Sequence, residues 1–416
     1  MHHIYDLNFE KEILHLFDYV GNDHSRQVLI RLLTELPCTL EEVLFRQDVL
    51  KEFLRQERID RALYYRSEFG TVYSYMKEFG ERGVWWRNRQ REKGQLSNAI
   101  LFLHKIHLAY FKEVRSANFP LAFAQVIENI QQFLTDIEVE KYYSIVRGRG
   151  LYFQDMGRLT RLLSEKCRKG ETDRFWQDFF LFEAFFSIAR GIHKHSFAFP
   201  VFTEGSGIDI QDFYHPVLKA PVRNSIRTNE RLVLITGPNM SGKSTLLKSV
   251  GLCMLLAHLG LAVPAASCES GYFDMLSIAL HLRDDIEGGY SHFMMELQNL
   301  KRVLVAAREG KKCFAIFDEL FRGTNMEDAL VIAEATLSGL ARFPQGCFFV
   351  STHLHQLREP LARAGAPAGL YHLECRLEGQ RPVFVYALQR GWSDLKIGQL
   401  LFIQEGLPEL LERQPG

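Results

Sequence analysis

Residues 232 to 251 read LVLITGPNMSGKSTLLKSVG. Within them Gly237, Pro238, Asn239, Met240, Ser241, Gly242, Lys243 and Ser244 fit G-x-x-x-x-G-K-[ST], with Thr245 following. An apolar run precedes the motif and a helical apolar pattern starts at Leu246. Buried strand, glycine turn and helix start therefore arrive in the order a phosphate cradle needs. Backbone N–H groups of such a turn would surround a polyphosphate. Lys243 would reach the β- and γ-phosphates of a nucleotide as a point charge, and Ser244 would ligate Mg²⁺. A loop that matches by chance and binds nothing is the bland alternative, and the flanking pattern argues against it.

Binding alone is not hydrolysis. Residues 313 to 319 read CFAIFDE, an apolar strand ending in Asp318 and Glu319. A carboxylate at a strand end can hold a metal-bound water, and the next residue can polarise an attacking one. A capped turn would explain the pair by itself, but not beside a phosphate loop. Residues 349 to 353 read FVSTH, which puts Ser351, Thr352 and His353 at the end of a further strand. A histidine there can hydrogen-bond a γ-phosphate or its water; a satisfied structural histidine is the alternative. Between these elements, residues 284 to 296 read DDIEGGYSHFMME, a glycine hinge leading into a helix. Ser291 suits its N-cap, which would leave helix donors for an anion.

The elements that position these groups belong to a chain of 416 residues, long enough for two or three domains. Lys plus Arg equals Asp plus Glu at 50 each, so a polyanion partner would need a local patch. No apolar run is long enough to span a membrane, and the N-terminus lacks the basic-then-apolar order of a signal peptide. Seven scattered cysteines without a CxxC pair read as reduced thiols in a cytoplasmic protein.

Residues 4 to 65 show helical spacing, with Ile13, Leu16, Phe17 and Val20 on one face, and Thr39 and Glu42 at capping-box spacing. Residues 81 to 94 carry five basic and two acidic groups beside Trp85 and Trp86. They suit either a phosphate backbone with stacked bases or, more simply, a Trp-anchored helix hairpin with solvated arginines. A helical block at 96 to 146 buries Phe123, Ile127, Ile130, Phe133, Leu134 and Ile137. Residues 147 to 174 hold eight basic and four acidic side chains, and their glycines break the helical pattern. Phenylalanines crowd residues 175 to 192, which reads as a buried helix. From 200 onward short apolar strands alternate with helices around a mostly parallel sheet, so the main boundary is expected there.

Taken together, TGPNMSGKST at 236 to 245, GLAVPA at 260 to 265, DDIEGGYSHFMMEL at 284 to 297, DELFRGTN at 318 to 325 and STH at 351 to 353 resemble the MutS family of DNA mismatch-repair ATPases. So do residues 386 to 408, His215-Pro216-Val217 and Asn224. The resemblance is specific over about half the chain and covers the helical half only by type. It implies a helical lever-like region at 1–199, with a reduced or absent clamp, and a P-loop α/β ATPase and dimerisation domain of ABC-like type at 200–416. It implies ATP held by residues 237 to 245, Mg²⁺ on Ser244 and Asp318, water activation by Glu319, and γ-phosphate sensing by His353. Tyr386 falls where the family sets an aromatic or His against adenine. Ser291 would act on the partner subunit's nucleotide in a homodimer with composite sites, with Thr324 and Asn325 in the dimer-contact turn.

Some positions depart from the family pattern. Phe321 replaces a glycine, His292 replaces a threonine, and residues 221 to 223 (PVR) lack the usual aromatic, which leaves adenine stacking to Tyr386. The chain is expected to begin directly in helices, without the mismatch-recognition domains and their Phe-x-Glu wedge; Phe111-Lys-Glu113 and Phe202-Thr-Glu204 match only by chance. The expectation is a dimeric ATPase acting on duplex or branched DNA in mismatch repair or recombination, nucleoid-associated when bound, with a possible repair-protein partner. The rival is an ATP-driven dimeric switch that binds a protein and has no DNA role.

Overall fold

The computed structural model describes residues 3–5, 9–55, 64–81, 89–280, 292–321, 324–363, 368–379, 381–393, 395 and 397–412. Two compact units result: Leu14–His195, and Met1–Ile13 together with Ser196–Gly416. The first thirteen residues, grouped with the helices in the sequence reading, thus belong to the second unit. The chain also does not open in a helix. Its first described element is strand β1 (His3–Tyr5), followed by a π-helical stretch, Phe9–Leu14.

The helical unit contains α1 (His15–Phe17), α2 (Asp23–Thr34), α3 (Leu40–Leu54), α4 (Arg66–Glu81), α5 (Arg89–Ile106), α6 (Leu121–Asp136), α7 (Val139–Gly148), α8 (Phe153–Arg168) and α9 (Glu171–His195). α9 buries most of its length, and α2, α3, α6 and α8 pack around it. Phe53 meets Phe182 edge-on at 5.1 Å between centroids, and Phe133 stacks on Phe175 at 4.4 Å. Such pairs contribute about 0.5–1.5 kcal/mol each beyond area burial. A buried polar cluster around Glu183 interrupts this core. Buried Glu183 accepts from Tyr64 Oη at 2.6 Å, Asn22 Nδ2 at 2.6 Å and Gly21 N at 3.1 Å. Burial pushes its carboxyl above the usual range despite these donors.

Three local expectations change. Thr39 accepts from Glu42 N at 3.2 Å, but Glu42 Oε2 reaches Cys38 N at 2.7 Å, one residue short of a reciprocal capping box. The expected block at 96–146 is interrupted by a π-helical stretch, His107–Phe111, and a 3-10 turn, Ser116–Asn118. Glycines 148 and 150 end α7 as expected, whereas Gly157 lies inside α8.

The second unit contains β2 (Val201–Thr203), β3 (Ile208–Phe213), β4 (Asn224–Thr228), β5 (Leu232–Thr236), α10 (Lys243–His258), β6 (Ser267–Gly271), β7 (Met275–Ala279), α11 (His292–Arg308), β8 (Cys313–Phe317), α12 (Met326–Leu340), β9 (Gly346–Ser351), α13 (Arg358–Arg363), β10 (Ala368–Glu378), β11 (Arg381–Arg390), α14 (Gly398–Gln404) and α15 (Leu407–Glu412). A seven-stranded sheet runs β1-β7-β8-β9-β5-β10-β11, parallel except for the β10–β11 pair. A four-stranded sheet runs β2-β6-β3-β4. Every residue of β5, β7, β8 and β9 is buried, the signature of parallel strands covered on both faces. Leu232, Leu234, Ala315, Phe317, Phe348 and Val350 face a core shared with residues of α11 and α12. The alternate face meets α10 so closely that a Cβ on Gly251 would lie 3.1 Å from both Ile278 and Ile316 side chains.

Gly191 of α9 shows how tightly the helical unit closes. A Cβ there would stand 2.3 Å from Leu16 O and 2.7 Å from Phe17 Cδ1. Alanine usually gains about 1 kcal/mol over glycine inside a helix. Here the obstacle is backbone, so overpacking wins, and Gly191→Ala is expected to destabilise the protein by about 1–3 kcal/mol. Urea unfolding followed by circular dichroism measures it; an unchanged or raised midpoint would contradict so close an approach.

Candidate nucleotide-binding site

β5 ends at Thr236, and the chain turns through a loop that only a glycine-rich sequence could follow. Gly237 and Gly242 have φ of 142° and 94°, and Met240 joins them at 68°. At Gly242 a Cβ would also crowd the Tyr386 ring at 3.1 Å. Gly242 is the N-cap of α10, so the helix's leading N–H groups face the loop. Ser241 is buried with its hydroxyl lacking a protein partner, the kind of orphan that a phosphate oxygen would satisfy. Asn239, Met240 and Thr245 are exposed, while Pro238 is buried and Ser244 half-buried.

Lys243 is only 5 % exposed. Its Nζ donates to Gly237 O at 2.9 Å and Pro238 O at 3.1 Å, and lies 3.9 Å from Glu319 Oε1. Burial lowers its pKa, opposed by the charges of Glu319 and Asp318. The phosphate loop and the carboxylate turn after β8 therefore share one electrostatic site. Ser351, last residue of β9, completes it: its hydroxyl donates to Asp318 Oδ1 and accepts from Glu319 N at 2.9 Å. The sequence pattern put Ser351 at this edge but gave no sign that it holds both carboxylate residues.

The turn itself is strained. Glu319 and Phe321 have φ of 53° and 66°, a region that side chains rarely occupy. Phe321, standing where a glycine was expected, is held there by burial of its ring and by its N–H, which donates to Glu296 Oε2 at 2.8 Å. Glu296 is a second residue the sequence reading left without a role. Asn325 accepts from Asp328 N at 2.9 Å and so caps α12, with Thr324 just before it. His353 is exposed two residues past β9, where Thr352 N donates to Ile235 O at 3.1 Å and ties the segment to the end of β5. Ser291, Trp85, Trp86 and Arg87 lie outside the described residues.

Beside the loop opens a cleft of about 380 Å³, lined among others by Tyr214, His215, Val222, Asn224, Thr245 and Tyr386. That volume lies in the range of small-molecule sites. Asn224 positions one wall: its Nδ2 donates to Tyr386 O at 3.1 Å and its Oδ1 accepts from Leu388 N at 2.7 Å. Tyr386 is thus brought to the loop, but not as the sole aromatic. Tyr214 lines the same cleft, with the Arg223 guanidinium 4.5 Å above its ring. Glu12, from the π-helical stretch, lies 3.5 Å from Lys248 Nζ on α10 and 3.9 Å from His215 Nε2. Nothing in the sequence linked so distant a residue to the site. Burial holds His215 below its usual pKa, with Glu12 opposing.

The loop, glycines, lysine and half-buried Ser244 fit a nucleoside triphosphate, and Asp318 with Ser244 offers the hard oxygen donors that Mg²⁺ takes alongside phosphate and water. Among the described residues no cluster of His, Cys, Asp and Glu would hold a metal by protein ligands alone. Nor is any described helix long and apolar enough to cross a membrane.

Comparison with known proteins agrees with this geometry. Residues 233–413 match the family model for MutS domain V. The chain is 29% identical over 345 residues to a DNA mismatch repair protein MutS of Pelotomaculum thermopropionicum, covering 78% of this chain and 39% of that protein. It is 34% identical over 233 residues to one from Sorangium cellulosum, covering 54% and 25%. A Staphylococcus carnosus relative is 30% identical over 288 residues, covering 65% and 33%. The chain thus spans between a quarter and two fifths of these curated relatives. The phosphate loop, the carboxylate turn and the serine that joins them all lie inside the matched region, so residues 233–413 are a MutS domain V and the chain is related to the MutS family.

Proposed function

We propose that this protein is an Mg²⁺-dependent ATPase of the MutS type that works as a dimer on duplex or branched DNA in mismatch repair or recombination. The observation that carries the reading is the 3.9 Å approach of Lys243 Nζ to Glu319 Oε1, with Ser351 binding the carboxylate turn. A phosphate-loop cation and two strand-end carboxylates at one sheet edge are what phosphoryl transfer to water requires. Residues 237 to 245 would hold the phosphates, and Ser244 and Asp318 the metal. Bound Mg²⁺ would neutralise charge developing between the β- and γ-phosphates. Glu319 would orient the attacking water and His353 would sense the γ-phosphate. Tyr386 and Tyr214 would flank the base. The inserted position of β9 between β8 and β5 suits the ABC-like architecture implied by the motifs.

The rival reading is a dimeric switch that binds a protein. One observation favours it: much of the 147–174 basic tract is internally paired. Arg158 bonds Glu138 at 2.8 Å, Lys166 pairs with Asp136 and Glu171, and Lys169 pairs with Glu165 at 2.7 Å. The DNA mismatch repair assignment of the relatives favours DNA.

Glu319→Ala is expected to lower ATP turnover by about 100-fold or more, in line with loss of a general base, while nucleotide binding survives. Lys243→Ala should weaken binding itself. Phosphate release and fluorescent-nucleotide titration separate the two effects; undiminished turnover in Glu319→Ala would remove that residue from catalysis.

If Ser291 serves the partner's nucleotide, mixing Lys243→Ala chains with Ser291→Ala chains should restore part of the activity that each lacks, because a heterodimer then contains one intact composite site. Activity per chain that stays constant down to a demonstrably monomeric concentration would contradict the shared site.

DNA binding should depend on salt and nucleotide state, with little preference for a single mismatch. Each phosphate contact contributes a slope of about −0.9 in log K against log salt on B-DNA. Anisotropy titrations of homoduplex, mismatched and four-way-junction DNA at several salt concentrations, with ADP or a non-hydrolysable ATP analogue, measure this. Absence of binding at low salt would transfer the proposal to the protein switch.

A further inference from the structure

Glu296 has no part in the chemistry above, yet it is a buried carboxylate on the helix beside the carboxylate turn. Burying such a group is costly unless hydrogen bonds replace the lost water. Its Oε2 accepts from the Phe321 N–H at 2.8 Å. Phe293, three residues earlier and so on the same face of α11, meets the Phe321 ring edge-on at 6.2 Å between centroids. α11 thus grips one residue of the turn twice, by its backbone and by its ring. Packing the helix on the sheet requires only the ring.

The backbone grip falls where it governs Glu319. Glu319 and Phe321 both hold positive φ, at 53° and 66°, so the turn relaxes when its attachments are released. Ser351 Oγ holds the Glu319 N–H at 2.9 Å from the β9 side. Glu296 holds Phe321, two residues on, from the α11 side. Between helix and turn lies a cavity of about 20 Å³, lined among others by Glu296, Asn299, Asp318 and Leu320. That is space of the order of one water, into which a released turn can move. The 3.9 Å approach of Glu319 Oε1 to Lys243 Nζ depends on the turn staying where it is.

We propose that Glu296 is a positioning residue for hydrolysis: by holding the Phe321 N–H it fixes the left-handed turn, and with it the direction in which Glu319 meets the attacking water. The inference rests on the ATPase reading above and adds a residue to it. Glu296 touches neither nucleotide nor water. Its effect passes through the Phe321 amide, so it acts on turnover and not on binding.

Three variants of the full chain separate the hydrogen bond from the space the side chain fills. Glu296→Met keeps the length and loses the acceptor, Glu296→Gln keeps both, and Glu296→Ala loses both. The methionine and alanine variants should lower kcat by about 10–100-fold, the scale set by a small misplacement of a reacting group. Their affinity for a fluorescent nucleotide should stay within about twofold of wild type, because the lost interaction acts only in the transition state. The glutamine variant should retain most of the turnover. Hydrogen exchange without nucleotide gives a second readout. In the methionine and alanine variants it should accelerate about tenfold or more at the Phe321 amide, as expected for loss of a bond to a charged acceptor. In the glutamine variant it should stay close to wild type. Faster exchange spread over all of α11 and β8 would make Glu296 a packing residue only and overturn the proposal. If wild type hydrolyses ATP and Glu296→Met hydrolyses it equally fast, the proposal is wrong while the ATPase reading stands. If wild type does not hydrolyse ATP, the ATPase reading falls first and the proposal with it.

Discussion

A buried ammonium organises the second unit. Removing such a charge from water costs several kcal/mol unless partners replace the solvent. Lys243 has two carbonyls of its own loop and, across the sheet edge, Glu319. Neither the loop after β5 nor the turn after β8 is electrostatically complete alone. β9 lies between those strands in the sheet, so its last residue, Ser351, can reach the turn. Strand order thus fixes which side chain joins the two halves.

The carboxylate turn shows the opposite balance, in which packing supports conformations that the residues themselves disfavour. Left-handed backbone at a non-glycine residue costs on the order of 1–3 kcal/mol, and Glu319 and Phe321 both adopt it. Three attachments oppose this cost: Ser351 Oγ on the Glu319 N–H, Glu296 Oε2 on the Phe321 N–H, and the Phe321 ring in the α11–α12 core. A glycine at 321 would take the same φ without strain but would give up the ring. The carboxylates are thereby aimed by α11 and β9 as much as by the strand that carries them.

What the sequence revealed and what it hid separate along the same line. The phosphate loop and the strand before Asp318 were legible because each is a contiguous pattern whose neighbours share one element. α9 was legible as buried because phenylalanines crowd it. Ser351, Glu296, Tyr214 and Glu12 reach the site from other elements, and no spacing announces them. β1 was read as helix because three residues are too few to show a period of two, and because its partner β7 lies near the middle of the chain. The basic tracts were legible as charge, but local pairing decides how much remains: Arg158 and Lys166 are neutralised, whereas Arg89 and Lys93 have no such partner among the described residues.

Placing β1 at the far edge of the sheet makes the helical unit an insertion between residues 13 and 196. During synthesis the first strand waits for β7 to emerge, more than 270 residues later. Through that interval the insertion can collapse by itself, since its own ends meet where Leu16 and Phe17 touch Gly191. Once that contact forms, the entropy of a very long ring shrinks to that of a short one. A stretch remote in sequence then behaves, for the assembling sheet, as a near neighbour held at high local concentration.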